Sequence, residues 1–201
     1  MKYIALLRGV MPTGKNKVMM ADLRKVVTEA GYENVMTYIQ SGNIIFDSEQ
    51  SAKEISEHMH NVIKSELGAE LPVVVKTVAE LETIMENNPY KDASYKNSVV
   101  FIATSMSRIE VEKEAEILSL SRDGEYVTFT KEAIYYYLSN GMHNSKINNN
   151  FLEKKLGISL TTAIKILWKK SSLKQILVNK KSPEHKRLRT LSFIIYSSTS
   201  V

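Results

Sequence analysis

Two short apolar runs, 35–39 and 44–46, are separated only by Gln40 and the connection Ser41-Gly42-Asn43. So short a link joins antiparallel neighbours, because a parallel pair needs a crossover of a dozen or more residues. A hairpin at this point excludes a purely parallel, doubly wound sheet, and the rest of the chain has to be arranged around it. Residues 2–8 form a continuous apolar run closed by Arg8, as in a strand covered on both faces. Met20, Leu23, Val26, Val27 and Ala30 then recur at helical spacing, and Gly31 stops that helix. Ser48 or Ser51 can cap a second helix with Ile55, Met59, Val62, Ile63 and Leu67 on one face, and 72–76 is again a strand. The order β-α-β-β-α-β is that of the split βαβ, or ferredoxin-like, unit. A helix over 78–86 closes this half, and Asn87-Asn88-Pro89 breaks it.

The same order recurs more weakly further on. A strand at 98–103 precedes a helix at 111–120, and 126–130 pairs with 134–138 around Lys131-Glu132. A helix over 145–156 ends at Gly157, and 158–162 is a short strand. Strand starts near 3 and 98 give a period of about 95 residues, shared in element order and not in residue identity. The expected fold is therefore α+β, with duplicated ferredoxin-like (βαββαβ) halves, antiparallel sheets and packed helices. The halves are placed at 1–88 and 97–162, with 87–97 as the connection.

Composition bounds the function. Zero cysteines rule out disulfides, thiolate zinc sites and Cys nucleophiles, and fit a cytoplasmic protein. No apolar run approaches the ~18 residues of a membrane span. The opening residues 1–8 have too short an apolar stretch for a signal peptide, and Arg8 ends it. The net charge of +5 is unevenly placed. Of 27 basic and 22 acidic residues, nine and one fall in 163–201, which leaves 18 and 21, a net of −3, for 1–162. The body is thus not a basic protein, which ranks RNA below a small ligand as partner.

The Lys- and Ser-rich stretch 163–201 matches no element that the duplication needs except one helix. With one choice of synonymous codons, 163–170 read two bases later spells Tyr-Lys-Asn-Ile-Met-Glu-Lys-Ile, an amphipathic helix. The expectation is a basic tail, frame-shifted or disordered, replacing the true last helix. Sequencing the coding DNA checks it.

Three separated strings carry a family resemblance. They are Leu7-Arg8-Gly9-Val10 with Gly14-Lys15-Asn16-Lys17; Tyr38-Ile39-Gln40-Ser41-Gly42-Asn43; and Ser145-Lys146 with Asn150-Phe151-Leu152-Glu153-Lys154-Lys155-Leu156-Gly157 and Thr161-Thr162. In this order they resemble the hallmarks of a bacterial family known only as domain of unknown function sixteen-ninety-seven. Its members open like L-R-G-V-N-V-G-G-K-N. The resemblance spans roughly 1–162. It implies a duplicated ferredoxin-like fold and no assigned activity. Met11-Pro12-Thr13 stands where the family pattern has Asn-Val-Gly, and Ala163-Ile164 where it has Arg-Asn.

The loop 8–17 is the main chemical candidate. Gly9 to Asn16 follows a strand, precedes a helix and falls one residue short of the P-loop G-x-x-x-x-G-K-[ST]. Asn16 occupies the magnesium-binding hydroxyl position, and the hairpin denies the parallel core that an NTPase needs. Two readings remain. Arg8, Gly9, Gly14, Lys15, Asn16 and Lys17 bind a phosphate or carboxylate through cations and backbone N–H groups. Alternatively, the glycines supply positive φ to a turn and the lysines are solvated. Gln40, Ser41 and Asn43 join the ligand set if the hairpin tip lies near this loop; otherwise they are turn chemistry. Lys146, Asn150 and Lys154 are spaced to share a helix face, with Thr161 and Thr162 beyond, and solvation is the simpler account.

Other features carry less. Tyr135, Tyr136 and Tyr137 alternate in a strand, and packing explains them better than base stacking. His58 and His60 are two apart on a helix and cannot share a metal. No metal site, cofactor or catalytic set is expected. Asp47 alone among the acids follows a core strand. The leading function is binding of a small phosphorylated or carboxylated, nucleotide-like molecule at 8–17. The alternatives are a metal-independent transferase or hydrolase using the same loop, with Asp47 as base, and an RNA- or protein-interaction module. Oligomeric state cannot be read from the sequence.

Overall fold

The opening apolar run becomes β1 (Lys2–Leu7), whose residues from Tyr3 to Leu7 are all buried. The computed structural model describes residues 1–11, 13–38, 42–96 and 99–162, all within one unit, Met1–Lys165. The expectations for the tail 163–201, and those for Gln40 and Ser41, lie outside the described residues.

β1 sits between two antiparallel neighbours. The second hairpin strand β3 (Asn43–Asp47) pairs Phe46 with Tyr3 and Asn43 with Leu6. On the other side β4 (Val73–Thr77) pairs Thr77 with Tyr3 and Val73 with Leu7. β2 (Glu33–Tyr38) completes a four-stranded sheet in the order β2-β3-β1-β4. Its pairing with β3 shifts register between Glu33 and Met36, where Asn34 takes φ 51 and its amide donates to Asp47 Oδ2 at 2.7 Å.

Helices α1 (Met20–Glu29) and α2 (Ala52–Leu67) bring Leu23, Val27, Ile55, Met59 and Ile63 onto Tyr3, Ala5, Leu7, Ile44 and Phe46. Each such side chain contributes about 1.5–3 kcal/mol by leaving water. Ser51 is the cap that α2 uses. Its hydroxyl accepts from Glu54 N, and the Glu54 carboxylate accepts from Ser51 N, a reciprocal capping box. Thr77 and Glu80 repeat this device at the start of α3 (Val78–Glu86).

The second sheet, in the order β5-β7-β6, contains β5 (Val100–Thr104), β6 (Glu125–Phe129) and β7 (Ala133–Leu138), all antiparallel. Its core collects Ile117, Val127, Phe129, Ile134, Tyr136, Leu138 and Leu152. The expected helix 111–120 is a 3-10 turn, Val111–Lys113, followed by the short α4 (Glu114–Leu118). Ile117 is the residue α4 buries, so tertiary packing does little to lengthen it. The expected helix 145–156 starts later, as α5 (Asn149–Leu156), because the Asn148 side chain accepts from Phe151 N and fixes the cap there.

The expected strand 158–162 reduces to one antiparallel bridge. Thr161 and Thr104 exchange backbone hydrogen bonds of 3.0 and 3.1 Å on the side of β5 away from β7. Among the described residues the fold is α+β, with antiparallel sheets of four and three strands and five α-helices.

Candidate functional site

The chain leaves β1 at Arg8, whose backbone N–H donates to Pro72 O at 2.9 Å. Gly9 follows at φ 86, in the left-handed region that a side chain would strain. The loop then closes on itself. Met11 N donates to Asn16 O at 3.0 Å, Lys17 N donates to Gly14 O at 3.1 Å, and Met11 and Lys17 form a parallel bridge. The Asn16 side-chain oxygen accepts from Glu70 N at 3.3 Å, tying the loop to the segment ahead of β4.

The P-loop reading fails on geometry. α1 begins only at Met20, well past Gly14-Lys15, and β1 is flanked by two antiparallel strands. A P-loop needs the helix to start at the phosphate and a parallel core behind it.

Gly42, which leads into β3, lies beside this loop. Gly42 O accepts from Leu7 N at 3.2 Å, and a Cβ on Gly42 would stand 2.8 Å from Val10 Cγ2 and 2.9 Å from Leu7 Cβ. Only glycine fits there. Asn43, the next residue, is buried opposite Leu6.

Arg8 turns its guanidinium toward α5. Nε and Nη2 donate to the two Glu153 carboxylate oxygens at 3.4 and 3.1 Å, and Nη2 also donates to Asn150 Oδ1 at 2.7 Å. Glu153 is pinned in turn, since its Oε1 accepts from Leu160 N at 2.8 Å. Deeper, the Tyr136 hydroxyl donates to Asn149 Oδ1 at 2.7 Å, and Asn149 Nδ2 donates to Thr162 Oγ1 at 3.4 Å. Burial pushes the Tyr136 hydroxyl far up; Arg8 pulls it down and Glu153 pushes it up, both to a smaller extent. It therefore remains a donor at neutral pH.

The expected cluster of Arg8, Lys15 and Lys17 is thus divided. Arg8 has Glu153 as its counter-ion, which weakens the inference that the three cations need an anion between them. Lys15 is exposed and 4.0 Å from Glu70, which also pairs with Lys64 at 2.9 Å. The Lys64 hydrogen bond and charge hold the Glu70 carboxyl below its ordinary range. Lys17 has no ion-pair partner among the described residues. Arg8 thus pairs with Glu153, and Lys15 and Lys64 share Glu70.

Other candidates move apart. Lys146 precedes α5, so only Asn150 and Lys154 share the helix face that was expected to hold all three. Asp47 pairs with Lys2 at 2.8 Å, at the start of β1, ~20 Å of strand away from Arg8. It cannot serve as a base at the loop. His58 Nδ1 meets the Tyr32 hydroxyl and His60 Nδ1 meets Leu71 O. Tyr136 enters the second core, while the Tyr135 hydroxyl on the opposite face donates to Ile84 O.

Glu153 and Asn149 were not singled out from sequence, although Glu153 stands inside the string 150–157. A groove of about 630 Å³ is lined by Ser56, Glu57, His60, Pro72, Ser105 and Met106 among others, without a Lys or Arg, and is not built for an anion. Among the described residues no group of three His, Cys, Asp or Glu could hold a metal, and no helix is long and apolar enough to cross a membrane.

A family model described as "Protein of unknown function (DUF1697)" matches residues 1–135. The match takes in the loop and the hairpin tip and ends before α5. A solved structure described as "The structure of conserved bacterial protein SP0830 from Streptococcus pneumoniae" is 24% identical. The alignment covers 84% of this chain and 98% of that one, with a TM-score of 0.61, a likeness of fold. No curated protein matches.

Proposed function

The chain belongs to the DUF1697 family, proteins of unknown function, and from that premise we propose that it binds a small phosphorylated or carboxylated molecule, nucleotide-like in kind, beside Arg8 and the loop 8–17. The observation that carries this reading is Arg8. Its guanidinium is oriented by Glu153 and Asn150, keeps 30% side-chain exposure, and has Nη1 donating to no described residue. A guanidinium held in one plane suits a phosphate or carboxylate. Lys15 and Lys17 add charge from the loop, Gly9 and Gly14 permit close approach, and Asn16 fixes the loop. Gln40 and Ser41 belong to the proposed ligand set, while Asn43, fully buried opposite Leu6, supports the hairpin and does not touch the ligand. A cytoplasmic location fits such a ligand.

The same proposal covers the architecture. The element order and the strand order β2-β3-β1-β4 support a ferredoxin-like half over 1–88. The Thr104–Thr161 bridge supports a second over 97–162, since Thr161 occupies the fourth-strand position beside β5.

A thermal-shift screen of nucleotides, simple phosphates and short RNA, run beside Lys15→Ala and Arg8→Met, tests the function. A ligand at a hundred times its dissociation constant adds about 2.7 kcal/mol, roughly 5–10 °C for a chain of this size. The expected result is a shift with a phosphate ester that Arg8→Met abolishes. Arg8→Met should itself cost no more than about 1 kcal/mol of stability, as a part-exposed ion pair does. Absence of any shift in a cooperatively melting wild type overturns the reading. Turnover of the bound ligand would turn it into the transferase or hydrolase alternative, and RNA binding that falls steeply with salt would replace it.

A further inference from the structure

Resting on that reading, we infer that the ligand is an amphipathic anion, whose apolar portion lies on Met11 and Met19 while its phosphate or carboxylate meets the cations of the same loop. The loop sorts its apolar residues into two sets. Val18 is buried, and Val10 packs on the first core and borders Gly42. Met11 and Met19, each next in sequence to one of those valines, are 53% and 51% exposed. They are two of the three large hydrophobic side chains more than half exposed among the described residues, and they share the segment that carries Lys15 and Lys17. Residues paired in a parallel bridge project to the same side, so the Met11–Lys17 bridge sets a thioether beside the lysine that has no described ion-pair partner. The backbone bonds of Met11 and Lys17, with Asn16 on Glu70, hold that arrangement without a ligand.

A simple inorganic ion would use only the cations. Methionine is a flexible, polarizable surface that shapes itself to an apolar partner, and here it borders positive charge. The combination matches a phosphate ester or carboxylic acid carrying a hydrocarbon or planar group. A free molecule fits better than a bilayer. Glu70 is itself about half exposed beside Lys15 and Lys64, and a flat anionic membrane would press against that carboxylate.

Calorimetric titration of the full chain with inorganic phosphate and with octyl phosphate below its aggregation threshold tests this, for wild type and the double variant Met11→Ser/Met19→Ser. Sedimentation with phosphatidylglycerol vesicles runs alongside. The wild type should bind octyl phosphate at least about tenfold more tightly than phosphate, since each buried methylene adds to affinity. The double variant should lose that advantage and keep the phosphate affinity, with a melting temperature no lower than that of the wild type, since serine at position 19 can cap α1 where methionine does not. Equal affinity for the two probes overturns this inference and leaves the anion site standing. An advantage that survives in the double variant overturns the assignment to the methionines. Binding to vesicles without binding to octyl phosphate overturns the free ligand in favour of a membrane surface. If neither probe binds, the anion reading falls, and this inference with it.

Discussion

Beside β1 the first sheet has a full strand, β4, paired at five positions, whereas beside β5 the second sheet has, among the described residues, a single bridged residue, Thr161. The interiors differ as well. The first core is closed chiefly by aliphatic and aromatic contacts around β1 and α2, although its sheet also buries Asn43. The second buries the Tyr136 hydroxyl and the Asn149 amide, and that hydrogen-bonded chain reaches Thr162. Apolar packing needs no directional match, while a buried hydroxyl must keep its partner. The first sheet and its helices are therefore the scaffold from which β1 delivers Arg8, and the second sheet with α5 supplies polar groups that are positioned by hydrogen bonds.

The largest expected effect is a loss of stability in alkali, which reaches both sheets. Burial pushes Tyr32, in the first half, and Tyr135, in the second, from 10.0 to about 12, and Tyr136 is pushed up as well. The folded state holds these protons more tightly than the unfolded chain. Stability should thus be complete below pH 10 and fall as the pH rises toward 12. Melting curves recorded with tyrosinate absorbance check this. One cooperative loss would bind the halves together, two steps would set them apart, and no loss would break the account of buried tyrosines.

The next effect contrasts the two hairpin tips. Gly42→Ala must place a Cβ against Leu7 and Val10 at φ 79 and should cost about 2–4 kcal/mol. Lys131→Ala, at the exposed tip between β6 and β7, should be near neutral by the same chemical denaturation. Similar costs would mean that the first tip is not seated on β1. A smaller loss than that of Gly42→Ala is expected for Tyr136→Phe, which leaves Asn149 Oδ1 without its donor. We expect a loss of about 1–3 kcal/mol. A neutral result would remove the contrast between a polar and an apolar interior.

The sequence reveals elements where periodicity is strong and packing supports it. β1, the hairpin, α2 and β4 are legible because alternating or continuous apolar runs are closed by Gly, Ser or Thr with known cap chemistry. The S-x-x-E and T-x-x-E strings at Ser51 and Thr77 announce their helices. The helix 111–120 looks longer in sequence than it is, since Leu118 and Leu120 fit the pattern yet stay exposed. The start of α5 is masked by Ser145, which could cap a helix but instead accepts from Ile147 N in an extended turn. In the candidate site, the adjacency of Gly42 to the loop follows from strand order and was open to reasoning. The turn of Arg8 onto Glu153 was not, since residues 145 positions apart meet only through the packing of α5.

The shift of register in β2 has a consequence for how molecules of this protein meet one another. An outer strand with a straight, flat edge offers its free amides and carbonyls to any similar edge, and identical chains then stack without limit. Asn34, at φ 51 and tethered to Asp47, bends that margin and interrupts the spacing which a second copy would have to match. A local irregularity of one residue thus acts on the solution as a whole, as a bar to open-ended assembly through the first sheet.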